Sequence, residues 1–167
     1  QIAIPSTPED AAGLFWTAMH GNSPTLVLIP KHLMWHPREL PEAPKPVPFG
    51  KARTVSQGNA LTVVSWGNCL EVIAEAVAAQ KTADDAIEVI DVRTIVPLDL
   101  GAIKSSVAKT GRLLVVHEDA ESCSVGQKII ASVVNDVELF AHLHAAPVLI
   151  AKPDVNVGYH SNLEYAM

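Results

Sequence analysis

Apolar runs rich in valine and isoleucine alternate with amphipathic stretches along most of the chain. The runs ALTVVSW, AIEVIDV, RLLVVHE and APVLIAK predict strands, and a shorter run at 52–56 predicts an antiparallel edge strand. Helical periodicity predicts helices at 68–80, 99–109 and 124–143, the last with a candidate break at 135–136. This alternation is typical of βαβ units, so we expect an α/β fold with a mainly parallel sheet covered on both faces.

The first part of the chain has its own strand–helix–strand pattern. QIAI and TLVLIP predict short strands, and TPED predicts the start of a helix that is capped by Thr7 and ends near His20. The stretch HPRELPEAPKPVPFG then holds five of the twelve prolines, which lack the amide hydrogen that helices and sheets need. We therefore predict a linker at 37–50 that separates residues 1–36 from a domain at 51–167.

Composition narrows the function classes. Hydrophobic residues make up 49% of the 167 positions, which is enough for a sizeable core, and the net charge of −6 disfavours a nucleic-acid or anionic-membrane partner. No apolar run approaches the roughly 20 residues needed to span a bilayer. The two cysteines suggest reduced thiols in a cytoplasmic protein. The chain begins at Gln1 within an apparent strand, and we expect a piece of a longer polypeptide.

Ionisable and polar side chains follow the predicted strands, where parallel α/β sheets bind ligands. The candidates for an interface or crevice are Asn68, Asp91, Arg93, His117 and Glu118. A structural alternative is also open, because polar residues mark the exit of any buried strand. Asp91 and Arg93 are two apart and favour a local ion pair over catalysis. His117 and Glu118 are strand neighbours, so their side chains point to opposite faces.

Other motifs give weaker signals for chemistry. The turns SWGNCLE and SCSVGQK lead into helices and could bind an anion, but their spacing favours ordinary capping boxes. Cys69 lies just inside a predicted helix start, where a thiolate is favoured, so a Cys–His hydrolase is a third and weakest hypothesis. His32 and His36 have i,i+4 spacing, but Pro37 ends any helix there, and the i,i+2 spacing of His142 and His144 does not share a helix face, so neither pair predicts a metal site.

The ordered phrases of the chain resemble one family. PSTPEDAAGLFWTAM, TLVLIPKHL, LTVVSWGNCLEVIAEA, EVIDVRTIVPLDLGAIKSSVAKTGRLLVVHE, APV and LEYAM are similar to the beta subunit of thiamine-diphosphate-dependent 2-oxo acid dehydrogenases, with the branched-chain and acetoin types nearest. The resemblance implies that residues 1–36 are the tail of a pyrimidine-binding domain. It also implies that residues from 51 onward form a transketolase-type C-terminal domain, a three-layer α/β/α module with a mostly parallel, five-stranded mixed sheet.

The same resemblance implies a role in assembly. The whole enzyme would be an oxidoreductase that uses thiamine diphosphate and Mg²⁺ to decarboxylate a 2-oxo acid and acylate a lipoyl group. The cofactor-binding Gly-Asp-Gly motif is missing from this sequence, so we expect no catalytic, cofactor or metal residue here and an inactive isolated chain. The implied partners are an alpha subunit or fused alpha region, a second beta chain and the dihydrolipoyl acyltransferase core, in the cytoplasm or the mitochondrial matrix.

Two alternatives to this assignment stay open from the sequence. A transketolase or a deoxyxylulose-phosphate synthase has the same domain layout. A free-standing module could instead bind a small molecule or an anion in a crevice formed by Asn68, Arg93 and His117. Under the leading hypothesis, changes at His117 or Glu118 are expected to impair subunit assembly before any chemistry.

Overall fold

The computed structural model describes residues 1–35, 43–79 and 86–164. The helices are α1 (Pro8–Met19), α2 (Cys69–Ala79), α3 (Leu100–Thr110), α4 (Val125–Val134), α5 (Val137–His142) and α6 (Ser161–Glu164), with a 3-10 helix at Lys31–Trp35. The strands are β1 (Ile2–Ala3), β2 (Leu26–Val27), β3 (Arg53–Ser56), β4 (Leu61–Ser65), β5 (Ile87–Asp91), β6 (Thr94–Val96), β7 (Leu113–Ala120) and β8 (Val148–Lys152).

The main sheet has five strands in the order β3-β5-β4-β7-β8. The four strands β5, β4, β7 and β8 are parallel, and β3 pairs antiparallel with β5 at one edge. The prediction of a mostly parallel, five-stranded mixed sheet with an antiparallel edge is confirmed. From β4 the chain crosses first to β5 on one side and later to β7 on the other. The gap between the ends of β4 and β7 is therefore the point where the winding direction reverses.

Alternating residues of the strands face two separate cores, which produces three layers. Val63 of β4 and Val89 of β5 pack with Leu70 and Ile73 of α2 on one face. On the other face, buried side chains of α3, α4 and α5 pack against the alternate strand positions, namely Ile103, Val107, Ile129, Val133 and Leu139 against Val64, Ile90 and Val115. The three-layer α/β/α architecture is therefore confirmed, and Val, Ile and Leu form most of the core.

Two of the helix caps that the sequence predicts are present. Thr7 accepts a hydrogen bond from the amide of Asp10, and Ser124 accepts one from the amide of Gln127. The predicted break at Asn135–Asp136 separates α4 from α5, and the Asp136 side chain caps the new helix start. Gly111 ends α3 with φ +67°, a left-handed conformation that glycine adopts at no steric cost.

A second sheet, of three strands, was not predicted. Its order is β2-β1-β6, and β6 pairs antiparallel with β1. The chain leaves the main sheet after Asp91 because Arg93 takes the left-handed φ of 55°, which turns the backbone toward β1. A pattern of apolar residues cannot show this turn, because the residues of β6 look in the sequence like a continuation of β5. The N-terminal segment is thereby held against the domain that follows it.

The predicted linker lies partly outside the described residues, because 36–42 are not among them. Residues 43–48 have neither helix nor strand, and the amide of Val47 donates a hydrogen bond to the carbonyl of Gly13 in α1 at 3.2 Å. The described part of this stretch therefore runs along α1. The domain boundary at 37–50 stays a prediction.

Candidate functional site

A crevice of about 580 Å³ lies between the two sheets, at the carboxyl ends of β4, β7 and β8. Its position is the reversal point of the main sheet, where open α/β sheets bind ligands. Most of the walls are apolar side chains, and polar side chains form the rim. The lining residues are Ile2, Ile4, Leu28, Ile29, Pro30, Trp66, Gly67, Asn68, Ile95, His117, Glu118, Asp119, Val125, Lys152 and Val157. Three of the five candidate residues therefore meet here, namely Asn68, His117 and Glu118.

His117 is the most unusual side chain of this crevice. It is only 3% exposed, yet neither ring nitrogen has a hydrogen-bond partner among the described residues. Its ring stacks on Trp66 with centroids 5.3 Å apart and an interplanar angle of 18°. A buried polar group without a partner costs stability unless a ligand or water pairs with it. The unpartnered imidazole is therefore a buried polar group whose burial costs stability.

Burial lowers the pKa of His117 from its ordinary value of 6.5, although the nearby Asp119 acts in the opposite direction. The folded protein therefore binds a proton at His117 less readily than the unfolded chain does. Stability from this group is fully present above about pH 6.5 and is lost as the pH falls through the lower folded pKa.

We expect the free energy of unfolding to decline less steeply below pH 6.5 in His117→Phe than in the unchanged protein. Urea unfolding monitored by circular dichroism at pH 5 to 8 measures this slope. His142→Phe is the control, because that exposed imidazole is bound to the carbonyl of Glu138. Identical slopes for the unchanged protein and His117→Phe would contradict the assignment of a neutral buried imidazole.

The rim of the crevice is more acidic than basic. Glu118 and Asp119 are largely exposed there, and the ammonium group of Lys152 donates to the carbonyls of Pro153 at 3.0 Å and Val155 at 2.6 Å. The expectation that His117 and Glu118 point to opposite sides agrees with one being buried and the other exposed. A negatively charged ligand would meet two carboxylates and a lysine that is already bound to backbone.

Asp91 and Arg93, the other two candidates, are not part of the crevice lining and lie in a charge network beside α1. The expected local ion pair between them was wrong. The Asp91 carboxylate pairs with Arg53 at 3.0 Å, and the Arg93 guanidinium pairs with Asp10 at 2.9 Å. The reason is the backbone turn at Arg93, whose amide, and not its side chain, donates to Asp91.

Further contacts join this network into one unit, which is called the Asp10 network below and consists of Ser6, Asp10, Arg53, Asp91 and Arg93. Arg53 also contacts Asp10 at 3.2 Å, and the Ser6 hydroxyl donates to Asp91. Burial raises the pKa of Asp91, while the hydrogen bonds from Ser6 and Arg53 oppose that shift. Sequence reasoning missed Ser6 and Arg53 and treated Asp10 only as a helix-start acid, because these residues are separated from their partners by 38 to 85 positions.

The weaker chemical hypotheses lose support. Burial and the Glu118 carboxylate raise the pKa of Cys69, although a hydrogen bond with Ser65 opposes them, so the expected thiolate at this helix start was wrong. His36 lies outside the described residues, and the parts of the chain that are described hold no group of three metal-ligating side chains. The acidic rim of the crevice also repels a diphosphate group and therefore fits poorly with thiamine diphosphate.

Comparison with known proteins places these features in a family. Residues 50–167 match the transketolase C-terminal domain. The chain is 42% identical over 158 residues to the pyruvate dehydrogenase E1 component subunit beta of Mycoplasma pneumoniae. That match covers 94% of this chain and 48% of the relative. It is 32% identical over 164 residues to the acetoin:2,6-dichlorophenolindophenol oxidoreductase subunit beta of Cupriavidus necator, covering 98% and 48%.

A mitochondrial relative is also similar. The 2-oxoisovalerate dehydrogenase subunit beta of Chaetomium thermophilum is 37% identical over 153 residues, which covers 90% of this chain and 33% of that one. These identities do not separate the pyruvate, acetoin and branched-chain types. The chain spans about half the length of the first bacterial relatives.

The fold also occurs in a solved structure. A split-gene transketolase, in an inactive beta4 tetramer, aligns with a TM-score of 0.72 and 18% identity over 93% of this chain and 49% of that one. In the described part of the chain, no helix combines the length and apolar character needed to cross a bilayer.

Proposed function

Because the chain belongs to the transketolase C-terminal domain family, we propose that it is the C-terminal part of a thiamine-dependent 2-oxo acid dehydrogenase beta subunit. The beta subunits named above, which match over at least 90% of this chain, support the proposal. The complete enzyme would decarboxylate a 2-oxo acid on thiamine diphosphate with Mg²⁺ and pass the acyl group to a lipoyl group. It would act in the cytoplasm, or in the mitochondrial matrix of a eukaryote.

The role of this part is assembly. A strip of apolar side chains on the α2 face of the main sheet carries the proposal. Val148 and Ile150 of the edge strand β8 are 53% and 54% exposed, and they lie in register with Leu114 and Val116 of β7. α2 packs on β4 and β5 and partly buries Leu114 and Val116 of β7, but Val148 and Ile150 of β8 stay exposed beside it. This group of four residues is called the β8 strip.

A second beta chain is the occupant that fits the β8 strip. Interfaces between identical subunits that assemble permanently have apolar cores and few charges, and a twofold contact uses the same patch on both copies. The strip has no charged side chain among its four members. The acyltransferase core would dock elsewhere, because the exposed acids Glu118, Asp119, Glu121 and Asp154 suit a basic binding domain.

Ile150→Lys is expected to weaken association of the beta chains by at least about tenfold, because a lysine would be buried in an apolar contact. Stability of the single chain should change by less than about 0.5 kcal/mol, since the side chain is half exposed. Beta chain co-expressed with the alpha subunit would be analysed by sedimentation velocity and by 2-oxo acid decarboxylation. Dehydrogenase activity should fall in parallel with assembly.

Val137→Lys is the matched control, because this valine is 83% exposed and belongs to α5 on the opposite face of the sheet. Equal assembly of Ile150→Lys and the unchanged protein would refute the role of the β8 strip. The earlier expectation that changes at His117 or Glu118 impair assembly before chemistry stays a prediction. The isolated chain is expected to be inactive, because its sequence lacks the Gly-Asp-Gly motif that holds the diphosphate and Mg²⁺ in the family.

A further inference from the structure

We propose that a further strand pairs with the free edge of β2 and that an apolar layer covers one side of α1. Both are supplied by the residues that precede Gln1 in the complete beta subunit. The inference rests on the proposed function, because it requires that this chain is part of a longer beta subunit. It assigns an occupant to a surface that is separate from the β8 strip.

β2 is an edge strand of the second sheet and has one unpaired side. On its paired side, the amide of Leu26 donates to the carbonyl of Gln1 at 2.9 Å. The amide of Leu28 donates to the carbonyl of Ala3, also at 2.9 Å. Because successive residues of a strand turn their backbone groups to opposite neighbours, the amide and carbonyl of Val27 face the open edge, where no described strand lies. Such an edge is a template for a further strand.

The direction of β1 and β2 indicates what kind of element is missing. The two strands are parallel and α1 connects them, so they form a βαβ unit. Each strand contributes only two residues to the sheet. Parallel strands occur mainly in larger sheets that are covered on both faces, and a pair this short is not stable alone. We therefore expect the added strand to belong to the same α/β domain as β1 and β2.

The exposed side of α1 is the second part of this surface. Phe15, Trp16 and Met19 lie within about one turn of the helix and are between 45% and 71% exposed. Residues 11–30, which contain them, include no Asp, Glu, Lys or Arg. The cores of protein interfaces hold few charges and are rich in aromatic side chains and methionine. This side of α1 therefore has the composition of a contact surface.

The lengths of the relatives indicate where the occupant comes from. The match to the transketolase C-terminal domain begins at residue 50, so β1, α1 and β2 precede that domain. The bacterial beta subunits match 94% and 98% of this chain and therefore include the three elements, yet only 48% of each relative is covered. Since the matched domain is the C-terminal one, most of the other half of a relative precedes β1. That half is long enough to form the rest of a domain around β1 and β2.

A segment of the same polypeptide suits this short edge better than a separate chain does. The free edge of β2 offers only the backbone groups of Val27, so the strand pairing itself supplies few hydrogen bonds. A separate molecule would lose its translational and rotational freedom to form them. A segment that is already joined to β1 loses far less, because its effective concentration is high. The alpha subunit and a second beta chain are the alternative occupants that the experiment distinguishes.

Hydrogen exchange in the assembled enzyme tests for the added strand. If β2 is an edge strand there, only its alternate amides are protected, and Val27 should exchange at least about a hundredfold faster than Leu28. If a further strand pairs with β2, we expect the two amides to exchange within about tenfold of each other. Mass spectrometry with electron-transfer fragmentation resolves them in the complex of the complete beta subunit with its alpha subunit. A Val27 amide that exchanges as fast as that of the exposed Ser23 would overturn the proposal.

Photocrosslinking in the same complex identifies the occupant. Phe15→p-benzoylphenylalanine places a photoreactive group on the exposed side of α1 and should crosslink to residues of its own beta chain that precede Gln1. A mixture of isotope-labelled and unlabelled beta chains separates products within one chain from products between two beta chains. Phe140→p-benzoylphenylalanine is the matched control, because Phe140 is also an exposed phenylalanine but belongs to α5. It should not crosslink to the segment that precedes Gln1.

Three crosslinking results would overturn the proposal. They are a product from position 15 with the alpha subunit, a product with a second beta chain, and no product at that position, which would mean that solvent covers α1. Failure of the proposed function has a different signature, namely a complete complex that does not decarboxylate a 2-oxo acid. An active enzyme in which Val27 exchanges rapidly would contradict only the inference about β2 and α1.

Discussion

Asp10→Ala is expected to lower the free energy of unfolding by about 3 kcal/mol, the largest effect expected for a single polar side chain of this protein. Asp10 is 4% exposed and is the carboxylate that contacts both arginines of the Asp10 network. Its removal leaves the mostly buried Arg93 guanidinium without its carboxylate, which costs more than the pair itself contributes. Arg53 is about one-third exposed and keeps Asp91, so its share of the loss is smaller.

The consequence for the fold is a loosened N-terminal segment. Asp10 lies in the first turn of α1, whereas Arg93 follows β5 and Arg53 lies on β3. The network therefore ties α1 to the edge of the main sheet. Hydrogen exchange in Asp10→Ala should increase in α1 and β1 before it increases in β4 or β7.

Glu9→Ala is the matched control, because Glu9 is the exposed neighbour of Asp10 in the same helical turn. It should change the free energy of unfolding by less than about 0.5 kcal/mol. Urea unfolding of both variants at pH 7 gives the comparison. If Asp10→Ala lowers the free energy of unfolding by less than about 1 kcal/mol, water replaces the carboxylate at little cost. The Asp10 network then does not hold α1 against the main sheet.

Gly126→Ala is expected to destabilise the protein by about 2 kcal/mol through overpacking. A Cβ atom at this position would lie 2.6 Å from Leu149 Cδ1 and 2.7 Å from His117 Nε2. Neither neighbour can withdraw easily, since Trp66 stacks on the imidazole and Leu149 packs against the core. The same clash should displace the imidazole from its stacking on Trp66.

Gly101→Ala is the control for this change, because each glycine is the second residue of its helix. At Gly101 an added Cβ meets only Asp99 Oδ1 at 3.6 Å, which is an ordinary contact. This variant should be stabilised by about 0.5–1 kcal/mol through the better helix propensity of alanine. A double variant with His117→Ala should recover part of the Gly126→Ala loss, and additive losses would show that the two positions do not interact.

The sequence allowed most of the α/β layout to be predicted because its signals are local. Strand runs, helix periodicity and caps such as Thr7 and Ser124 depend on residues within a few positions of each other. The rule that parallel strands end at one edge also brought Asn68, His117 and Glu118 to a common place. The resemblance to the dehydrogenase beta subunits agrees with the relatives found.

Other features depended on the order of strands in the sheet, which local patterns do not encode. Trp66 reaches His117 only because β4 is adjacent to β7, and Arg53 reaches Asp91 only because β3 is adjacent to β5. The branch of β6 toward β1 depends on one left-handed residue, Arg93.

The four ionisable residues at 91, 93, 117 and 118 therefore fall into two groups. The sequence predicted that all four residues lie at strand ends, which is right for Asp91 at the end of β5, whereas β7 continues past His117 and Glu118 to Ala120. Only the tertiary structure decided that the first two bind α1 and β3, whereas the last two line a crevice. The physical reason is that an ion pair or a cavity needs atoms within a few ångströms, and here strand order and the packing of α1 bring residues 38 to 83 positions apart into contact.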